Sequence, residues 1–158
     1  MGAYSVNNRL GGTQQNLSTS YKTIVALTAA TATLRRAHIY DIMMGAEGAP
    51  NATDCAIVYD VSRQTAAPTA TAATPNALNP ADAASDTVAA VNATIEGTIT
   101  AASSVLTISL NQRASQRWVA APGSELIIPA TNLAGFALRA LSATFASTVV
   151  VQTLHNDL

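Results

Sequence analysis

Apolar and polar residues alternate along most of this chain, in runs short enough for strands and bounded by Gly, Pro, Asn and Thr. Tyr21 to Thr28 is β-branched and apolar around Thr23-Ile24-Val25, which predicts a strand. Leu34 to Met44 follows, with Leu34, Arg36, His38, Tyr40 and Ile42 on one face and Arg35, Ala37, Ile39, Asp41 and Met43 on the other. That alternation is imperfect, because both faces carry apolar and charged groups. After a loop over Gly45 to Asn51, Cys55, Ile57, Tyr59 and Val61 oppose Asp54, Asp60 and Ser62, the pattern of a half-buried strand. Ile95, Gly97 and Ile99 alternate with Thr94, Glu96 and Thr98, and Leu106, Ile108 and Leu110 with Thr107 and Ser109. Two strands joined by a polar turn at Ala101 to Ser104 are expected there. Leu133 to Leu141 fits both periods: Leu133, Phe136, Ala137, Ala140 and Leu141 have helical spacing, whereas Phe136, Leu138 and Ala140 alternate. Ser147 to Leu154, built on Val149-Val150-Val151, reads as the final strand.

Two segments break the pattern. Residues 1–20 are polar, with Asn7-Asn8, Gly11-Gly12 and Gln14-Gln15-Asn16, and predict an extended N-terminal arm ordered against a neighbour, leaving 21–158 as the domain. Thr65 to Ala93 is mostly Ala, Thr and Pro, with Asp82 and Asp86 its only charges, and predicts a long connection at 65–93. Within it, Asn79-Pro80-Ala81-Asp82 has a capping Asn, a Pro at the first helical position and a carboxylate near the positive end of the dipole, so one short helical turn is expected. About eight strands without a strand–helix rhythm favour an all-β antiparallel sandwich.

Composition narrows the function. The 158 residues make one domain the default. Hydrophobic residues are 49% but aromatics only 4%, so Ala supplies much of the apolar fraction and the core must come from Val, Ile and Leu. Net charge is −1, and Lys22 with seven Arg forms no basic stripe, which argues against nucleic acid as a partner. No apolar run is long enough for a membrane span, and Met1 to Val6 lacks the basic and apolar regions of a secretory signal, so a soluble product made inside the cell is expected.

Chemistry-bearing residues are sparse. Cys55 is alone, and His38 and His155 are the only imidazoles. On a strand, Asp41 would lie on the opposite face from His38, so a local catalytic pair is disfavoured, and His155 reads as a frayed or docked chain end. Asp54, Asp60, Asp82, Asp86 and Glu96 do not follow a calcium-loop pattern and read as solvated. Gly11-Gly12 lacks the Lys-Ser/Thr that follows a phosphate cradle. No catalytic, metal or cofactor residue is assigned, and the expectation is a non-enzyme. Arg and Trp concentrate at the energetic centres of protein interfaces, which makes Arg35, Arg36, Arg117 and Trp118, with Tyr4 and Arg9 of the arm, the candidate interface residues.

An ordered set of segments resembles the jelly-roll capsid decoration, or cement, proteins of tailed bacteriophages. These are Tyr21-Lys22-Thr23-Ile24, Leu34-Arg35-Arg36-Ala37-His38-Ile39, Ala56-Ile57-Val58-Tyr59-Asp60-Val61-Ser62-Arg63-Gln64, Leu78-Asn79-Pro80-Ala81-Asp82, Arg117-Trp118-Val119, Leu126-Ile127-Ile128-Pro129, Ala137-Leu138-Arg139-Ala140 and Val149-Val150-Val151-Gln152. The resemblance covers about residues 20 to 155 and departs from the family pattern in its lengthened Thr/Ala/Pro tract. It implies a jelly-roll β-sandwich forming a homotrimer on the outer surface of an icosahedral head, with the major capsid protein as partner. It also implies a strand at Leu133 to Leu141 from which Arg139 projects toward an interface. The alternative expectation is a carbohydrate- or receptor-binding jelly-roll module of a phage fibre or spike, which would need aromatic platforms.

Overall fold

A computed structural model describes residues 2–158. They form twelve strands and no helix: β1 (Ala3–Asn7), β2 (Lys22–Ala29), β3 (Ala37–Glu47), β4 (Ala56–Ala66), β5 (Thr69–Ala73), β6 (Asn76–Ala77), β7 (Thr87–Ile95), β8 (Thr98–Asn111), β9 (Ser115–Val119), β10 (Leu126–Ile128), β11 (Gly135–Leu141) and β12 (Thr148–Asp157). The strands pair antiparallel in two six-stranded sheets. The first is ordered β10-β3-β12-β1-β6, with β9 and β10 end to end along one edge of β3. The second is ordered β5-β7-β2-β11-β4-β8.

One apolar cluster joins the sheets. Val6, Ile39, Ile42, Met44, Val149 and Val151 come from the first, and Val25, Leu27, Tyr59, Val61, Val91, Phe136 and Leu138 from the second. Each such side chain contributes roughly 1.5–3 kcal/mol by leaving water. The arrangement is that expected of a β-sandwich. Leu133 to Leu141 resolves as strand β11 from Gly135 onward, and Leu133 itself sits in a loop with a left-handed backbone (φ 60°).

The imperfect alternation of β3 has a physical origin. Leu154 of β12 pairs Asp41 while the next residue, His155, pairs Ile39, so Tyr40 is an extra residue on β3. A bulge of this kind switches the side-chain faces of the residues beyond it. Ala37 and Ile39 therefore face the core before it, and Ile42 and Met44 after it.

Residues 3–20 are not a separate arm. β1 lies inside the first sheet between β12 and β6. Its Tyr4 and Val6 are buried, and Leu17 enters the core. The run of amides makes the dock: the Asn8 side chain donates to Val149 O (2.8 Å) and accepts from Val151 N (3.0 Å), while Asn92 donates to Asn8 O and Gly11 O, both at 2.8 Å. Buried amides need such partners, so a polar stretch fits an interior position.

The Thr65–Ala93 tract also differs from expectation. It supplies β5 on the edge of the second sheet and β6 on the edge of the first, so it crosses between sheets along one side. Asn79 to Asp82 forms a hydrogen-bonded turn, not a helical one: Asp82 N donates to Asn79 O and Ala81 N to Asn79 Oδ1. Ala81 and Asp82 then lead into irregular backbone, so no further helical bond follows the first. Similarly, Thr94 to Thr98 is a passage from β7 to β8, and the Ala101–Ser104 turn is instead a wide bulge within β8, with Ala102 at φ 51°.

Candidate functional site

The outer face of the first sheet carries a shallow groove of about 350 Å³ lined by Met43, Gly45, Ser115, Arg117, Val150 and Gln152. Strand parity builds it. Val149, Val151 and Thr153 of β12 are buried, so Val150 and Gln152 face outward. Met43, displaced past the Tyr40 bulge, faces outward beside them, and Arg117 pairs it from β9. Asp41 is 2% exposed and accepts from Arg117, with Nε at 3.1 and 3.0 Å from its two oxygens and one Nη at 2.5 Å. These bonds and the carboxylate charge raise the guanidinium's pKa further. The result is a cation held rigidly by a buried anion yet 62% exposed, beside an apolar floor. Trp118 pairs Ile42 and lies half-buried against the core, while Val119, the last residue of β9, is 56% exposed. Such a surface can hold a carboxylate and an apolar side chain of another protein, with little side-chain entropy lost at the arginine.

The other candidate residues are not gathered there. Arg9 pairs with Glu47 at the C-terminal end of β3, whereas Arg35, paired with Asp86 at 3.3 Å, and the exposed Arg36 precede its start. An eleven-residue strand separates them by roughly 33 Å. Tyr4 is only 3% exposed; its ring stacks on His155 with centroids 5.6 Å apart, and its hydroxyl donates to Ala83 O at 2.8 Å. It is a core residue. Arg139 likewise does not project: its guanidinium lies 4.4 Å over the Tyr21 ring and donates to Asp60 Oδ2 (2.5 and 3.1 Å) and Ser62 Oγ (2.9 Å).

Asp60 is accordingly not a solvated carboxylate. Burial pushes its pKa up, but hydrogen bonds from Ser104, Ser62 and Arg139 outweigh that and hold it below the ordinary value. The direct cross-strand pairing of Arg139 with Asp60 explains why these two charges share a buried site.

His155 is fully buried, which replaces the frayed-end reading. Its Nε2 lies 3.4 Å from Ser85 Oγ and 4.0 Å from Asp157 Oδ1. Ser85 donates to Asp157 Oδ1 at 3.2 Å, and His155 Nδ1 has no hydrogen-bond partner among the described residues. A nucleophile triad places the orienting carboxylate on the imidazole nitrogen opposite the serine. Here serine and aspartate crowd the same nitrogen, so this serine–histidine–aspartate set is a structural clasp. Asp157 also accepts from Asp86 N (2.7 Å) and Thr87 Oγ1 (2.9 Å), fastening the tract to β12. Among the described residues, no three His, Cys, Asp or Glu side chains cluster as metal ligands.

No family model, curated protein or solved structure matches this chain. The surface is therefore read from its own geometry. Sequence reasoning found Arg117 and Trp118 but missed Asp41, Met43 and Val150, which complete the groove. A carboxylate in an otherwise apolar strand was the available signal for Asp41. Its partner could not be chosen until the Tyr40 bulge fixed the register.

Proposed function

We infer that this chain is a non-enzymatic capsid decoration protein that attaches to the outer surface of an icosahedral phage head and ties neighbouring capsomers together. The observation that carries the reading is the Arg117–Asp41 pair beside the groove, an exposed anchor fixed before any partner arrives. The ordered segments that resemble the cement family support it, and jelly-roll connectivity and trimeric self-association belong to the same proposal. The mechanism is burial, not reaction. Binding the assembled shell in preference to free capsomers stabilises the assembled state by mass action. Many copies on one shell act multivalently, so each contact need not be strong.

The aromatic side chains favour this reading over a glycan-binding module. Tyr4, Tyr59, Phe136 and Phe145 are buried, Tyr40 and Trp118 are half-buried, and the Tyr21 ring is covered by Arg139. Five of the seven aromatic rings are thus buried or covered, leaving only the half-buried Tyr40 and Trp118 as partial platforms for a sugar.

The test is co-sedimentation of the purified protein with a panel of empty capsid particles from tailed phages. Saturable binding to at least one is expected, and Val150→Glu should abolish it while leaving the far-UV spectrum unchanged. A folded monomer that binds no particle, or binding that survives a charge in the groove, would overturn the proposal or its assigned face respectively.

A further inference from the structure

The second sheet ends on an open edge. Among the described residues, β8 is the longest strand and is hydrogen-bonded only to β4. Its pairing is regular from Leu106↔Val61 to Asn111↔Ala56, beyond an irregular stretch in which Ala102 has a left-handed backbone and Val105 is an extra residue. Over the regular stretch Leu106, Ile108 and Leu110 are half-buried against the core, and Thr107, Ser109 and Asn111 are exposed.

The direction of the backbone groups follows from one hydrogen bond. Gln112 donates its N–H to Cys55 O, one step beyond the Asn111↔Ala56 pair. Hydrogen-bonded and non-hydrogen-bonded pairs alternate along an antiparallel ladder. Leu110, Ile108 and Leu106 therefore turn their N–H and C=O groups to β4, while Thr107 and Ser109 turn both of theirs, and Asn111 its N–H, to the open side; the Asn111 C=O accepts from Ala114 N. Proteins shield such edges with charges, proline, bulges or a covering segment. Thr98 to Asn111 contains no charged residue, proline or glycine, and the bulge shields only its first half.

The edge is also self-complementary. Leu106-Thr107-Ile108-Ser109-Leu110 reads the same in both directions by residue class: aliphatic, hydroxyl, aliphatic, hydroxyl, aliphatic. We propose that β8 pairs antiparallel with β8 of a second copy about a two-fold axis through Ile108, so that one sheet runs through both molecules. In this register Ile108 meets its own equivalent, Leu106 meets Leu110 and Thr107 meets Ser109. The outward backbone groups of Thr107 and Ser109 then exchange about four hydrogen bonds across the two copies. Moving the axis to Thr107 or Ser109 keeps the bonding pattern but shortens the overlap and breaks the match of like side chains. The pair is isologous and closes on itself. It does not depend on the shell reading; within that reading it links neighbouring trimers across two-fold axes.

Cysteine cross-linking in a Cys55→Ser background tests it. The two Ile108 positions form a non-hydrogen-bonded pair with Cα atoms about 4.5 Å apart, within disulfide range. Mild oxidation should convert most Ile108→Cys protein to a covalent dimer on a non-reducing gel. Val105→Cys alone should stay monomeric, and Leu106→Cys/Leu110→Cys should cross-link, since these two also form a non-hydrogen-bonded pair in the proposed register. Adding Thr107→Pro, which removes an outward N–H, or Ser109→Lys, which charges the edge, should cut the Ile108→Cys dimer at least tenfold. An Ile108→Cys protein that cross-links no faster than Val105→Cys overturns the pairing. Trimers that bind capsids without this cross-link would refute the edge pair alone; cross-linked protein that binds no capsid would refute the shell reading alone.

Discussion

Acidification should weaken the fold through His155. The imidazole is fully buried against Tyr4, and its Nδ1 has no partner among the described residues that a proton could serve. Burial pushes its pKa from 6.5 down to about 4, against a smaller upward pull from Asp157. Between those values the unfolded chain holds a proton on His155 that the folded chain refuses. The unfolded state thus binds more protons, and stability falls as pH drops from 6.5 towards 4, by about 3 kcal/mol in all. Above 6.5 the effect is absent, because the imidazole is neutral in both states. Asp60 acts in a separate window: its depressed pKa adds stability that is present above the ordinary carboxylate value and lost only at lower pH. The assay is urea unfolding followed by Trp118 fluorescence from pH 7.5 to 4, at fixed protein concentration because self-association would shift the midpoint. His155→Phe keeps a ring stacked on Tyr4 and removes the titration, so its midpoint should stay nearly flat where the parent's falls. His38 is present in both proteins and cancels. A parent midpoint that does not move between pH 6.5 and 4, or a His155→Phe protein with the same acid loss, would refute the reasoning.

Arg139→Met should cost about 3 kcal/mol in urea unfolding, because Asp60, 3% exposed, loses its partner while buried; adding Asp60→Leu should recover most of that loss. Tyr59→Phe should raise stability by about 1 kcal/mol, since the buried Tyr59 hydroxyl has no hydrogen-bond partner among the described residues and burial alone pushes its pKa up. Gly135→Ala should cost about 3 kcal/mol or more, visible as a lowered Tm or insoluble expression, because the added methyl would collide with Leu27 O on the neighbouring strand.

The strands legible in the sequence were those whose apolar positions alternate with polar ones. Leu106, Ile108 and Leu110 of β8 alternate with the exposed Thr107 and Ser109, whereas Ile57, Tyr59 and Val61 of β4 alternate in part with Asp60 and Ser62, which are polar but buried. β2 was found from its β-branched content, although it is buried on nearly every residue and has no clean alternation. What escaped was set by long-range pairing. Tyr40 looks like one more alternating residue until His155 and Leu154 define the bulge. β1 carries only Tyr4 and Val6 as core residues, and its docking relies on Asn8 amides whose partners lie more than a hundred residues away. The arginines divided for the same reason. Arg117 and Arg139 both lie on strands, but Asp41 anchors the first at the surface and Asp60 draws the second inside. Residue type names a candidate anchor, whereas register decides whether it reaches solvent.

Electron cryomicroscopy of decorated capsids addresses the central claim most directly. Empty particles that bind the protein in co-sedimentation would be imaged with and without it. The account predicts added density on the outer surface at three-fold or quasi-three-fold positions, with the β3–β9–β12 face and Arg117 turned to the shell. Shells that remain bare at saturating protein, or density attached through another face with the groove open to solvent, would contradict it.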